Sequence, residues 1–224
     1  MLVYQLMPAK YALEDLRKRR LKVALVEDLN DPFELMGARL DRSEHRKQIR
    51  EWRSYMAGLA RLLCFSKKYM NPLMWSHYAD KHRGMCLAFE VPKHLLLEVN
   101  YDPARLAVDF ETEAKSPNGV SHETVQKLLA TKFADWRYED EIRMFIRPTE
   151  VVHDGGFQFF PFGNDLSLRA VYLGPRCTIN RNEIEDAIQL VDRPSLVHAT
   201  RLAFKSFRVI RTPWPARHNA SSDA

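Results

Sequence analysis

Residues 136–143 read Trp-Arg-Tyr-Glu-Asp-Glu-Ile-Arg. On an extended chain alternate side chains share a face, so Glu139, Glu141 and Arg143 converge: two carboxylates and a guanidinium. Tyr138, Ile142 and Met144 point the other way and anchor the segment in a core. Asp140 interrupts the alternation and puts the start of the strand proper near Glu141, leaving Glu139 at the mouth. Paired acids of this kind can move a proton or hold a developing positive charge. The same residues on a surface strand would only neutralise each other in water.

A second group of capable side chains is Leu73-Met74-Trp75-Ser76-His77-Tyr78-Ala79-Asp80 followed by His82-Arg83-Gly84. Trp75 and Tyr78 can stack on a planar ring, Ser66 and Ser76 can bond a ribose hydroxyl or an amide, and Arg83 can pair with phosphate. Equally, Trp75 and Tyr78 can be core aromatics and His77 a satisfied buried histidine. His77 and His82 lack further ligands at structural-zinc spacing, so no metal is assigned. Gly-x-x-x-x-Gly-Lys-Ser/Thr, Gly-x-Gly-x-x-Gly and Gly-x-Ser-x-Gly are all absent, which leaves P-loop, Rossmann and hydrolase-elbow readings without support.

The elements that must carry these groups follow from periodicity and punctuation. Pro8 opens a short helix through Leu13 and Leu16, Val23 to Val26 is β-prone, and Leu29 to Phe33 is a turn. Ile49, Trp52, Met56, Leu59 and Leu63 form one helical stripe. Leu62 to Ser66 reads as a strand, Met74 to Asp80 as a short helix, and Met85 to Phe89 as a central strand, with another from Glu98 to Tyr101. A Pro-Asn-Gly turn at 117–119 precedes a helix capped by Ser121 that carries Val125, Leu128, Leu129 and Phe133. Ile142 to Ile146 and Ala170 to Leu173 are strands. Asn180 and Glu183 start a helix through Ile184, Ile188 and Val191, and Phe207 to Ile210 is a last strand. This order has no βαβ rhythm and predicts an α+β fold: a single compact domain over 1–212, with a central mixed or antiparallel sheet flanked by helices and a disordered tail at 213–224.

Composition sets the frame. The 224 residues are 46% hydrophobic and 28% charged with a net charge of +5, an ordinary folded protein rather than a collagenous or disordered one. No apolar run approaches the length of a membrane span, so no membrane partner is expected, and a cytoplasmic location is. Cys64, Cys86 and Cys177 are widely spaced and read as inert thiols. Arg193 to Arg217 holds six Arg or Lys and no acid.

The succession Asn30-Asp31-Pro32-Phe33-Glu34, Cys64-Phe65-Ser66, Leu73 to Asp80 with His82 to Phe89, Lys132 with Trp136-x-Tyr138-Glu139-x-Glu141-x-Arg143, and Val171-Tyr172-Leu173-Gly174 resembles the bacterial family of domain of unknown function 2971 (DUF2971). Where that family opens on a strand ending in Lys-Tyr, this chain has Val3-Tyr4-Gln5. The order of features is in turn remotely similar to the ADP-ribosyltransferase fold. That resemblance implies NAD as substrate, with transfer or hydrolysis at the nicotinamide–ribose bond, in a toxin or phage-defence setting. Glu141 would stabilise the oxocarbenium-like state and Glu139 would orient the nucleophile. Ser66 would contact the nicotinamide ribose and Tyr78 would stack on nicotinamide. His77 or Arg83 would bind ribose or pyrophosphate, and Trp75, Ser76 and Arg143 would complete the pocket. The acceptor and the oligomeric state are left open.

Two alternatives stand beside this one. The basic C-terminal region can serve a non-catalytic module that binds nucleic acid or protein. Asp135, Glu139 and Glu141 can hold Mg²⁺ in a nuclease.

Overall fold

The computed structural model describes residues 1–113, 115, 120–189 and 196–213. In chain order its strands are β1 Leu2–Met7, β2 Arg20–Lys22, β3 Arg61–Ser66, β4 Met85–Glu90, β5 Leu96–Glu98, β6 Asn100–Asp102, β7 Thr131–Phe133, β8 Glu141–Ile146, β9 Val152–Asp154, β10 Phe157–Pro161, β11 Ser167–Leu173, β12 Leu196–Leu202 and β13 Val209–Pro213. The helices are α1 Ala9–Lys18, α2 Ser43–Leu59, α3 Pro72–Tyr78, α4 Phe110–Glu113, α5 His122–Ala130 and α6 Arg181–Gln189. The class is α+β. The turn expected at 117–119, Val191 and the tail beyond Pro213 lie outside the described residues. No helix among the described residues is long and apolar enough to cross a membrane.

The chain divides into two compact units. Unit 1 comprises Met1–Val3, Lys18–Lys68 and Glu90–Ser167; unit 2 comprises Tyr4–Arg17, Tyr69–Phe89 and the chain from Leu168 onward.

In unit 1, β3 and β5 flank β8, both antiparallel to it. β10 pairs antiparallel with β2 and β9, while β6 and β7 run parallel. Helix α2 supplies the apolar stripe expected of it: Ile49 and Trp52 are buried, with Met56 packed behind them against Val26, Leu35, Leu62, Phe110 and Leu128. The stripe stops earlier than periodicity suggests. Ala60 turns extended (φ −135°), so Leu63 enters β3 instead of a last helical turn. Ser121 caps α5 by accepting the Thr124 amide, as its type predicts. Val23 to Val26 is not a strand; only Ala24 bridges to Leu62, and the strand lies earlier, at Arg20–Lys22.

In unit 2, β11 and β12 pair in parallel and β12 and β13 antiparallel, so the sheet is mixed. Met85 through Phe89 are wholly buried along β4, as a continuous apolar run requires. Ala12, Leu13 and Leu16 form the buried stripe of α1. Phe207 falls outside the last strand, 97% exposed in the turn before β13.

Candidate functional site

The Glu-x-Glu-x-Arg segment lies at the entry of β8, and its geometry departs from simple alternation. Ala134–Glu139 forms a 3-10 turn; Asp140 then takes a left-handed conformation (φ 45°) and the strand begins at Glu141. A left-handed residue is costly unless short and polar, and aspartate is one of the few side chains that tolerates it. Lys67 and Lys68 pair with the Asp140 carboxylate at 3.2 and 2.8 Å and hold the bend.

The three charged side chains are not on a surface. Glu139, Glu141 and Arg143 are buried, Arg143 completely. The alternative of a strand neutralised in water is therefore excluded. Arg143 Nε donates to Glu141 Oε1 at 2.8 Å, and its terminal nitrogens donate to Glu141 Oε2, the Leu129 carbonyl and Glu34 Oε1 at 3.2, 3.0 and 2.8 Å. Lys132, on β7, places its ammonium 2.5 Å from Glu139, 3.0 Å from Glu141 and 3.3 Å from Glu34, with the Trp136 ring 4.9 Å away. Three carboxylates thus share two cations in the interior of unit 1.

Burial alone would push the Glu141 carboxyl up, but the Arg143 and Lys132 charges overcome it and hold the group down at about 2. For Lys132, burial works against the charged form, and Glu141, Glu34 and Glu139 more than offset it, so the ammonium is held charged. Charged pairs in a poorly polarisable interior favour ionisation only when each is compensated, which this arrangement achieves. The Tyr101 hydroxyl accepts from the Glu141 amide at 2.7 Å, and burial drives its own ionisation up to about 12.

A cavity of about 280 Å³ opens beside this cluster within unit 1. Its buried lining residues include Asp31, Glu34 and Lys132, and its exposed ones Phe33 and Phe133. Glu34 gives one carboxylate oxygen to the cluster. Its other oxygen, Oε2, is shielded from water and has no hydrogen-bond partner among the described residues. Asp31 Oδ1 accepts the Phe33 amide at 2.9 Å, and the Arg105 guanidinium lies 5.0 Å from the Phe33 ring. Glu141 and Arg143 do not line the cavity; they fix the residues that do.

The remaining sequence-selected residues have other employment. Ser66, at the end of β3, sits in register with Glu141, but its hydroxyl donates to the Lys68 carbonyl and accepts the Lys68 amide, a local turn in the buried part of unit 1. In unit 2, Trp75 is wholly buried and its indole donates to the Tyr69 carbonyl at 2.6 Å, which makes it a core aromatic with no ring face for a ligand. Ser76 and His77 are exposed; Ser76 bonds His82 at 3.0 Å, and the His77 and Tyr78 rings lie 6.3 Å apart. Arg83 forks onto Asp80, both contacts at 3.1 Å.

The residues that reach the cavity, Glu34 and Lys132, stood in the family-like motifs without a role. Their signal was chemical: an acid directly after Asp-Pro-Phe, and a lysine in a short apolar-flanked strand. Among the described residues no group of three His, Cys, Asp or Glu could hold a metal. The Asp135, Glu139 and Glu141 alternative fails for a visible reason, since the Lys132 ammonium fills the space between the two glutamates.

Residues 74–144 match the family described as protein of unknown function (DUF2971). The match spans about a third of the chain. It contains the Lys132 to Arg143 part of the buried cluster, but not Glu34, and the Trp75 to Gly84 region of unit 2. No curated protein and no solved structure matched the chain.

Proposed function

We propose that the unit 1 cavity receives the nicotinamide end of NAD, and that the protein is an NAD-consuming transferase or glycohydrolase. The observation that carries this reading is the uncommitted, buried Oε2 of Glu34 on the cavity wall. A buried acceptor without a donor is unfavourable by about 1–3 kcal/mol, so a ligand N–H placed there gains more than an ordinary hydrogen bond. The nicotinamide of NAD is flat and cationic and carries an amide N–H₂. Phe33 and Phe133 offer aromatic faces, and the excess of carboxylates over cations suits a positive ring.

In this reading Glu34, not Glu141, faces the charge that develops when nicotinamide departs, because both Glu141 oxygens are already held. Glu141, Glu139, Lys132 and Arg143 are positioning residues.

Thermal shift and calorimetry with nicotinamide, NAD and ADP-ribose test the proposal. Nicotinamide and NAD should raise the melting temperature, and Glu34→Gln should remove the rise. Because that variant also alters the cluster, Phe133→Ala, at an exposed position, serves as a second test of binding. If none of the ligands moves the folded protein, the reading fails.

A nucleic-acid module is the second reading. Its support is Phe204 and Phe207, 91% and 97% exposed, set among Arg201, Lys205 and Arg208 with no nearby acid in the segment. Binding to single-stranded oligonucleotide that falls steeply with salt would favour it.

A further inference from the structure

Unit 2 contains a backbone device with no role in the site above. Asp80, Lys81 and His82 are consecutive residues in the left-handed region, with φ of 43°, 53° and 72°. None is glycine, and a run of three costs several times what a single such residue costs. The turn is nevertheless held on every side. The Gly84 amide donates to the Ala79 carbonyl at 2.7 Å, the His82 amide to the Trp75 carbonyl at 3.1 Å, and the His82 carbonyl accepts the Arg176 amide at 3.0 Å. A Cβ on Gly174 would lie 2.2 Å from that same His82 carbonyl, so the glycine lets β11's end close onto the turn. These contacts hold the backbone at His82 in place.

His82 lines a cavity of about 350 Å³ whose other walls are Pro175, Arg176, Thr200, Arg201 and Leu202. Among the described residues its lining has two arginines, a histidine and a threonine and no carboxylate; the Thr200 hydroxyl donates to the Leu173 carbonyl at 2.6 Å, and Arg201 donates one nitrogen to the Leu202 carbonyl at 3.1 Å with the Phe204 ring 4.6 Å away. His82 Nε2 is taken by Ser76, while Nδ1 is shielded from solvent and has no partner among the described residues. Burial first, and then the Arg176 charge, lower the pKa of the imidazole, so at neutral pH it is an uncharged hydrogen-bonding group rather than a third cation. Pro175 and Leu202 supply an apolar wall.

We infer that this cavity is a second ligand site, built for a phosphomonoester of a small organic group. The Arg176 guanidinium and the remaining nitrogens of Arg201 match the oxygens of a phosphate, the Nδ1 of His82 gains the partner it lacks, and the volume leaves room for the esterified group against Pro175 and Leu202. The site is independent of the unit 1 proposal.

The test follows the His82 imidazole by NMR during titration with ribose 5-phosphate, inorganic phosphate and ribose. Ribose 5-phosphate should give a saturable shift at millimolar concentration or below, phosphate a weaker one, and ribose none. Arg176 and Arg201 are exposed, so Arg176→Glu and Arg201→Glu should fold normally and each weaken binding roughly tenfold or more. No saturable shift with ribose 5-phosphate, an equal response to ribose, or binding that survives both reversals together would overturn the inference.

Discussion

Glu34 and Arg143 lie 109 residues apart in the chain and meet at 2.8 Å in the interior of unit 1. The contact closes a circuit in which Arg143 also grips Glu141 with two nitrogens. Arg143→Leu should therefore destabilise the protein by about 3–5 kcal/mol, because two buried carboxylates lose a shared partner. Arg143→Lys should recover little, since a single ammonium cannot make the forked contacts. Urea denaturation measures both, and a loss under about 1 kcal/mol for the leucine variant would contradict a compensated buried cluster.

Acid should attack the same cluster. The Glu141 carboxyl titrates at about 2 in the folded protein, below its ordinary 4.5. A depressed folded value means that the contribution is fully present above the unfolded value and is lost as pH falls toward the folded one. Stability should drop between about pH 4.5 and 2, by an amount on the order of 3 kcal/mol from this group. Glu141→Gln should be less stable at neutral pH and should show a shallower decline across that interval. Denaturation curves at a series of pH values would decide it; parallel slopes for the two proteins would rule out Glu141 as the source.

Two glycines should respond oppositely to alanine. A Cβ at Gly84 would come within 2.2 Å of the Met7 carbonyl and 2.9 Å of Ala79 backbone, neither of which can swing aside. Gly84→Ala should cost about 3 kcal/mol or prevent folding. Gly58, within α2, would meet nothing within 4 Å, and Gly58→Ala should add about 0.5–1 kcal/mol. Melting temperatures of the two variants should move in opposite directions.

Cys86 is wholly buried in β4 while Cys64 and Cys177 are partly covered, and burial raises all three thiols, those of Cys86 and Cys64 well above the ordinary range. Alkylation of the native protein at neutral pH should spare Cys86 until denaturant is added. Mass spectrometry of iodoacetamide-treated protein reads this directly, and prompt native labelling of Cys86 would mean that β4 opens.

Local chemistry made much of the fold legible. The Pro8 start of α1, the Ser121 cap, the solid apolar run of β4 and the alternation that begins at Glu141 all depend on neighbours in sequence, and each element formed where those neighbours indicated. Leu63 misled because four residues beyond Leu59 is equally a helical step and a position inside the next strand; only the extended backbone at Ala60 separates the two. Phe133 likewise suits a helical stripe but ends on β7, half exposed beside the cavity. In the site, the grouping of Glu139, Glu141 and Arg143 was readable, but their burial was not. What compensates them comes from Glu34 and Lys132, and no spacing rule connects a turn near residue 31 to a strand near residue 143. Trp75 carried the opposite lesson: an aromatic among polar residues suggested a stacking surface, while its indole proton was already committed to the Tyr69 carbonyl.

The shared ammonium of Lys132 has a consequence for how this molecule can change over generations. Three acids face two bases here, so replacing Lys132 or Arg143 strands carboxylates in a dry interior and that single step is closed, whereas losing one acid leaves two against two and is the less costly first step. Variants that drift here should give up an acid first, and a base only where an acid has gone before it.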